Sequence, residues 1–173
     1  SKYIGNSAKY FHYGLTSSDV IDTAFSIQLK NSIDIIVSSL NELLNIIKTR
    51  AIEHKFTNMM GRSHGVHAEP ITFGLKLASF YAEFKRNLKR LQLAKQEISI
   101  CSISGPVGTY NSINPEIEEY VAQKLNLKTE IVSTQIIPRD RHAFYFAILG
   151  ILGSSIERLA VEIRNLQRTE ILE

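Results

Sequence analysis

From Asp19 to about His54, apolar residues return every three or four positions: Ile21, Phe25, Leu29, Ile33, Ile36, Leu40, Leu43, Ile47 and Ala51. That spacing is one face of an α-helix. No glycine or proline interrupts it, which predicts a single helix about 50 Å long. Ser17, Ser18 and Asp19 are all residue types that cap a helix start. A second helix is expected from near Glu69, with Pro70 in its first turn, where a missing N–H costs little. It runs through Phe73, Leu77, Phe80, Phe84, Leu88 and Leu91 to about Ile98. A short third helix follows Asn114, again with an early proline, Pro115, and fades near Leu125. A fourth runs from about Asp140 to the end of the chain, through Phe144, Ile148, Ile151, Ile156, Leu159, Ile163 and Leu166. The segment "TEIVSTQIIP" is β-branched, but Pro138 and its shortness favour an extended connector over a sheet strand. No internal repeat is evident. The fold class expected is all-α.

The first and last helices carry apolar residues beside the main stripe, such as Ile27, Ile35, Val37, Leu44 and Ile46. One stripe serves a surface helix, whereas several mean burial on more than one side. Helices of that kind belong to a bundle whose core is shared with other segments or subunits, so the chain is not expected to be a monomer. At 173 residues it suits one domain, and 44% hydrophobic with 21% charged residues is ordinary for a globular protein. The chain opens on Ser1 without a methionine and closes on "RNLQRTEILE", still periodic and without a helix stop. It reads as a segment of a longer protein.

No uninterrupted apolar run reaches the length of a membrane span, and no signal-peptide pattern opens the chain. Cys101, the single cysteine, cannot form an internal disulfide and reads as a small buried hydrophobe in a cytoplasmic protein. The net charge of +3 is dispersed. It suits an anionic small molecule better than a nucleic acid.

Polar, glycine-bearing stretches fall between the helices. In "HYGLTSSD", His12 to Asp19, the hydroxyls of Thr16, Ser17 and Ser18 stand at a helix start that either binds an anion or is simply capped. In "GRSHGVHAEP", His64 and His67 are three apart. A helical zinc pair is four apart, and neither a cysteine nor a third histidine stands nearby, so a metal is not expected. His64, between Ser63 and Gly65, is the better placed imidazole for proton transfer, though spacing alone equally allows a structural histidine. "SGPVGTYNSINP" is a tight turn whose amides could cradle an anion. "STQIIPRDRHAFY" offers Gln135, with donors and an acceptor for a polar ligand, beside the charges of Arg139, Asp140 and Arg141.

In this order, "HYGLTSSDVIDTA", "MMGRSHGVHAEPITFGLKLA", "SGPVGTY" and "STQIIPRDRHAFY" resemble the adenylosuccinate lyase family of the fumarase/aspartase superfamily, over essentially the whole chain. The resemblance implies a central helical-bundle segment of a homotetrameric lyase that eliminates fumarate from adenylosuccinate, and from the succinylated aminoimidazole-carboxamide ribotide, without a cofactor. It implies that His64 is the general acid, that Thr16, Ser17 and Gln135 contact substrate, and that His12 lies near the nucleotide phosphate. Lys76 would support the site, and Ser63 stands where threonine is commoner in the family, with its hydroxyl kept. An earlier Arg-His-Asp segment, the serine loop that carries the base, and the carboxylate that orients the histidine are expected outside residues 1–173. Another superfamily lyase or a cycloisomerase is the alternative within the fold, although the cycloisomerase branch lacks the histidine matching His64. A non-catalytic helical oligomerisation module is the alternative of another class.

Overall fold

The computed structural model describes residues 3–171. A 3-10 turn at Gly5–Tyr10 precedes α1 (Ser17–Glu53), a hairpin of β1 (Asn58–Ser63) and β2 (Val66–Thr72), and α2 (Phe73–Ile98). Then come β3 (Ile100–Cys101), α3 (Pro115–Leu125), β4 (Lys128–Thr129) and α4 (Arg139–Leu166). The chain is all-α in class, with four helices close to the expected ones. It divides into two compact units, one of the described residues up to Ile33 with Ala94–Tyr145, the other of Asp34–Leu93 with the described residues from Phe146 on.

In the first unit, the beginning of α1 breaks the pattern of its own sequence. Ile21 and Phe25, on the expected apolar stripe, are exposed, whereas Asp19, Asp22, Thr23 and Ser26 are buried. The reason is long-range: the backbone N–H groups of Ser102, Ser104 and Ile137, in the loops before α3 and α4, need acceptors, and Thr23, Asp19 and Asp22 of α1 supply them. Phe25 instead stacks on His142, 5.5 Å between ring centroids. A small core of Cys101, Ile103, Ile113, Ala122 and Leu127 lies beneath these loops. Here β3 and β4 pair in parallel, Ile100 opposite Lys128. Helix α3 is capped at both ends. Asn114 accepts from the Glu116 N–H, and Asn126 takes the left-handed conformation, φ 53°. The Leu127 N–H then bonds the Ala122 carbonyl at 2.8 Å, which satisfies carbonyls that the helix end would otherwise leave unpaired. Cys101 is buried as expected, and burial first of all pushes its thiol up to about 11, away from thiolate chemistry.

In the second unit the sequence pattern holds for α2. Leu77, Phe80, Phe84, Leu88 and Leu91 are all buried, as are Leu40, Leu44 and Ile47 of α1 and Ile148, Leu152 and Leu166 of α4 in the same unit. Burying a side chain such as Phe84 contributes about 1.5–3 kcal/mol. Asn87 is buried too, its amide donating to Ser155 Oγ at 2.8 Å. On α4, Ile151, Ile156 and Ile163 are exposed although they lie on its apolar period, as are Ile35 and Ile46 of α1.

Two expectations are corrected. Helix α2 starts at Phe73, not near Glu69: Glu69 and Pro70 lie in β2. Pro70 stands opposite Met60, next to an irregularity between Met60 and Arg62, the kind of position where a strand tolerates a residue with no N–H. The other concerns α4. By length and composition Asp140–Leu166 is apolar enough to cross a membrane, the one such helix among the described residues. Its glycines and serines break the apolar run without lowering the average enough. The Asn87–Ser155 bond and ion pairs of Arg158 with Glu83 and of Glu162 with Lys76 hold this helix on α2.

Candidate active site

Three of the four chemistry-bearing stretches converge in the first unit. Thr16 immediately precedes α1, and its N–H donates to Asp19 Oδ2 at 2.8 Å, the return half of a capping box. The other oxygen of Asp19 accepts the Ser104 N–H at 3.3 Å, so one carboxylate fixes both the helix start and the "SGPVGTY" turn. One helical turn on, Asp22 accepts the Ile137 N–H at 2.9 Å and holds the Arg139 guanidinium. Thr23 Oγ1 accepts the Ser102 N–H at 3.3 Å. The hydroxyl of Ser133 lies 2.9 Å from that of Ser102 and 2.7 Å from that of Ser104. A hydroxyl both donates and accepts, so three of them can satisfy one another in a buried spot.

Glycine is required twice at this junction. A Cβ on Gly14 would stand 2.4 Å from the Ser112 carbonyl, and one on Gly108 would stand 2.2 Å from that of Ser133. Both residues also have positive φ, which favours glycine. The stretches can therefore touch backbone to backbone.

What this scaffold leaves outward is Thr16, half-buried, with Ser17 and Gln135, both exposed. The Gln135 amide donates to Thr16 Oγ1 at 3.2 Å. These two candidates, far apart in sequence, thus present hydroxyl and amide side by side at a helix start, where partly free N–H groups favour an anion. His12 lies in the exposed turn leading to them, with φ 61° and its carbonyl accepting the Leu15 N–H at 3.3 Å. Tyr110, also at positive φ, closes the glycine turn: its N–H meets the Ser104 carbonyl at 3.0 Å. Its hydroxyl donates to the buried Glu118 at 2.5 Å. Burial, followed by that bond, pushes the phenol up to about 12.

The charge cluster at the start of α4 is structural. Arg139 pairs with Asp22, and Arg141 forms a two-pronged pair with Glu130, Nε to Oε2 at 2.7 Å, while also reaching Glu97. His142 is buried; burial first, then the Arg139 charge, lowers its pKa.

The fourth stretch belongs to the second unit. His64 and Gly65 are the two turn residues between β1 and β2, with φ 55° and 77°, and Ser63 faces Val66 across the hairpin. A two-residue turn with both φ positive is the geometry whose twist matches a strand pair. It places the exposed imidazole at the tip of the hairpin. His67 lies on β2 opposite Arg62. The base is clipped to the helices by Phe73 N–H to the Thr57 carbonyl, 2.9 Å, and Gly74 N–H to the His54 carbonyl, 3.0 Å. Lys76, one turn into α2, is ion-paired with Glu162. Among the described residues, no three His, Cys, Asp or Glu side chains gather as a metal-ligand set.

The sequence pointed to Asp19 only as a helix cap and gave no role to Asp22 or Glu118, yet all three hold the loops. Acidic residues three apart within an apolar helical pattern were the available signal. The sequence reading also passed over the hairpin, whose sign was His-Gly between two short runs, since histidine enters the left-handed region more readily than most residues.

A family profile described as lyase matches residues 1–173. The chain is 54% identical over 173 residues to the adenylosuccinate lyase of Bacillus subtilis (strain 168), and 53% identical over the same length to that of Synechocystis sp.. In each case all of this chain is matched and 40% of the relative, so it spans two fifths of their length. Among solved structures, a fumarate lyase from Mesorhizobium sp. BNC1 superposes with a TM-score of 0.91 at 30% identity, over 96% of this chain and 40% of that one. A 3-carboxy-cis,cis-muconate lactonizing enzyme from Pseudomonas putida gives 0.92 at 27%, over 99% and 40%. With the whole described length matched by the profile and its relatives, the chain belongs to this lyase family.

Proposed function

We propose that the protein of which this chain is part eliminates fumarate from adenylosuccinate to give AMP, and from the analogous succinylated aminoimidazole-carboxamide ribotide. The observation that carries the reading is the presentation of the motif residues: Gln135 and Thr16 meet at 3.2 Å on a rigid frame, and His64 stands exposed at a hairpin tip. The identity with relatives named adenylosuccinate lyase supports the choice of substrate.

In the elimination a base removes the proton from the carbon next to a succinyl carboxylate, and the electron pair forms the fumarate double bond. The C–N bond breaks, and the departing nitrogen takes a proton. His64 supplies that proton as general acid, with the Ser63 hydroxyl beside it. Thr16, Ser17 and Gln135 hydrogen-bond the succinyl part, where donors stabilise the developing carbanion. His12 serves the nucleotide phosphate. The base is a serine outside residues 1–173, and neither metal nor cofactor takes part. The enzyme is a cytoplasmic homotetramer. The exposed apolar residues Ile35, Ile46, Ile151 and Ile163 support association, since patches of this kind mark interfaces.

The test is His64→Gln in the full-length enzyme, followed by the ultraviolet change on fumarate release. Turnover should fall about a hundredfold or more, the usual worth of a general acid, with the unfolding midpoint unchanged. Activity within a few-fold of the parent would remove His64 from the role. A panel of succinylated substrates separates this reading from another lyase of the superfamily.

A further inference from the structure

Resting on the substrate role of Gln135, we infer that Asp22 is a positioning residue, whose buried carboxylate sets where the Gln135 amide stands. Asp22 is 5% exposed. Its Oδ2 accepts the Ile137 N–H at 2.9 Å and faces Arg139 Nη1 at 2.9 Å, while Oδ1 accepts from Arg139 Nη2 at 3.1 Å. These partners lie on either side of Pro138, which has no N–H of its own. Upstream, the Ser133 hydroxyl is held by those of Ser102 and Ser104. The exposed Gln135 thus sits on a short span pinned at both ends, by hydroxyls before it and by a carboxylate after it.

The Ile137 side chain is fully buried, 0% exposed, which anchors the span but does not by itself orient its peptide planes. The bond from the Ile137 N–H to Asp22 supplies that orientation two residues from Gln135. The carboxylate is suited to this because it accepts at both oxygens. An asparagine amide would accept at one and turn an NH2 group toward the guanidinium.

The experiment compares Asp22→Asn, Arg139→Gln and Gln135→Ala, and each of the first two combined with the third, in the full-length enzyme. It reads kcat, KM for adenylosuccinate and the unfolding midpoint. Asp22→Asn should lower kcat/KM by about tenfold to a hundredfold, mostly through KM, as expected when a binding group is displaced. Arg139→Gln should act in the same direction and more weakly. Its side chain is 49% exposed, so this variant keeps the test open if Asp22→Asn does not fold. With Gln135→Ala in place, either change should cost less than about twofold more, whereas a merely structural defect would multiply. If Gln135→Ala impairs the enzyme while Asp22→Asn and Arg139→Gln are silent or fully multiplicative, the positioning role is wrong and the reading of Gln135 stands. If Gln135→Ala is itself silent, the reading fails and takes this inference with it.

Discussion

Tyr110→Phe should destabilise the chain by about 1.5–2 kcal/mol, although it removes a single oxygen. Glu118 is 3% exposed, and its carboxylate is held by two donors, the Ile103 N–H at 2.6 Å and the Tyr110 hydroxyl at 2.5 Å. A hydrogen bond to a charged group contributes about 1.5–3 kcal/mol net, and its loss leaves the buried partner short of a donor. Tyr110 is half-buried, so water reaches part of the gap and the lower end of that range applies. With a urea dependence of about 2 kcal/mol per M, the unfolding midpoint should fall by somewhat under 1 M. The assay is urea unfolding of parent and variant at one protein concentration, since association shifts apparent stability. It is repeated with Glu118→Gln in both, where the hydroxyl faces a neutral group and its removal should cost less than half as much. The pH dependence supplies a second reading. The phenol is raised to about 12 from about 10 in the unfolded chain. Its contribution is therefore complete below pH 10 and is lost as the pH rises toward 12. Tyr110→Phe should flatten that alkaline loss. A midpoint within about 0.2 M of the parent, or equal costs in the two backgrounds, would refute the account of Glu118 as a carboxylate that needs both donors.

Gly74→Ala should be far more damaging than Gly65→Ala in urea unfolding. A Cβ on Gly74 would meet the Ala51 carbonyl at 2.4 Å and Lys55 Cα at 2.6 Å, while at Gly65 nothing lies within 4 Å and only the positive φ resists, at about 1 kcal/mol. Equal effects would mean that the junction of α1 and α2 yields easily. His142 has a lowered folded pKa, so the unfolded state binds its proton first. Stability should decline as the pH falls below about 6.5, and His142→Phe should lessen that decline; an unchanged acid profile would remove His142 as its source. The 173-residue chain alone should be helical by circular dichroism, self-associate in sedimentation and cleave no adenylosuccinate. Measurable cleavage by the pure chain would place the base within it.

The apolar period of α2 and the proline and asparagine around α3 were enough to locate those helices, because burial of one face and capping of the ends are decided within a few residues. The motif stretches were legible through their order and their resemblance to a family, since the residue types alone equally allow a plain cap, a turn or a structural histidine. The beginning of α1 was not. Its period points Ile21 and Phe25 inward, yet Asp19 and Asp22 are the buried residues, because the N–H groups of Ser104 and Ile137 arrive from 85 and 115 positions away. No local pattern records where a distant loop will need an acceptor. The hairpin was missed for a related reason. Proline after a glycine-bearing stretch suits a helix start, and a strand only at an edge or an irregularity; pairing with Asn58–Ser63, irregular beside Pro70, decides for the strand. That choice lifts His64 onto a turn with φ 55°, a conformation that the sequence allows and only the pairing of the two strands imposes.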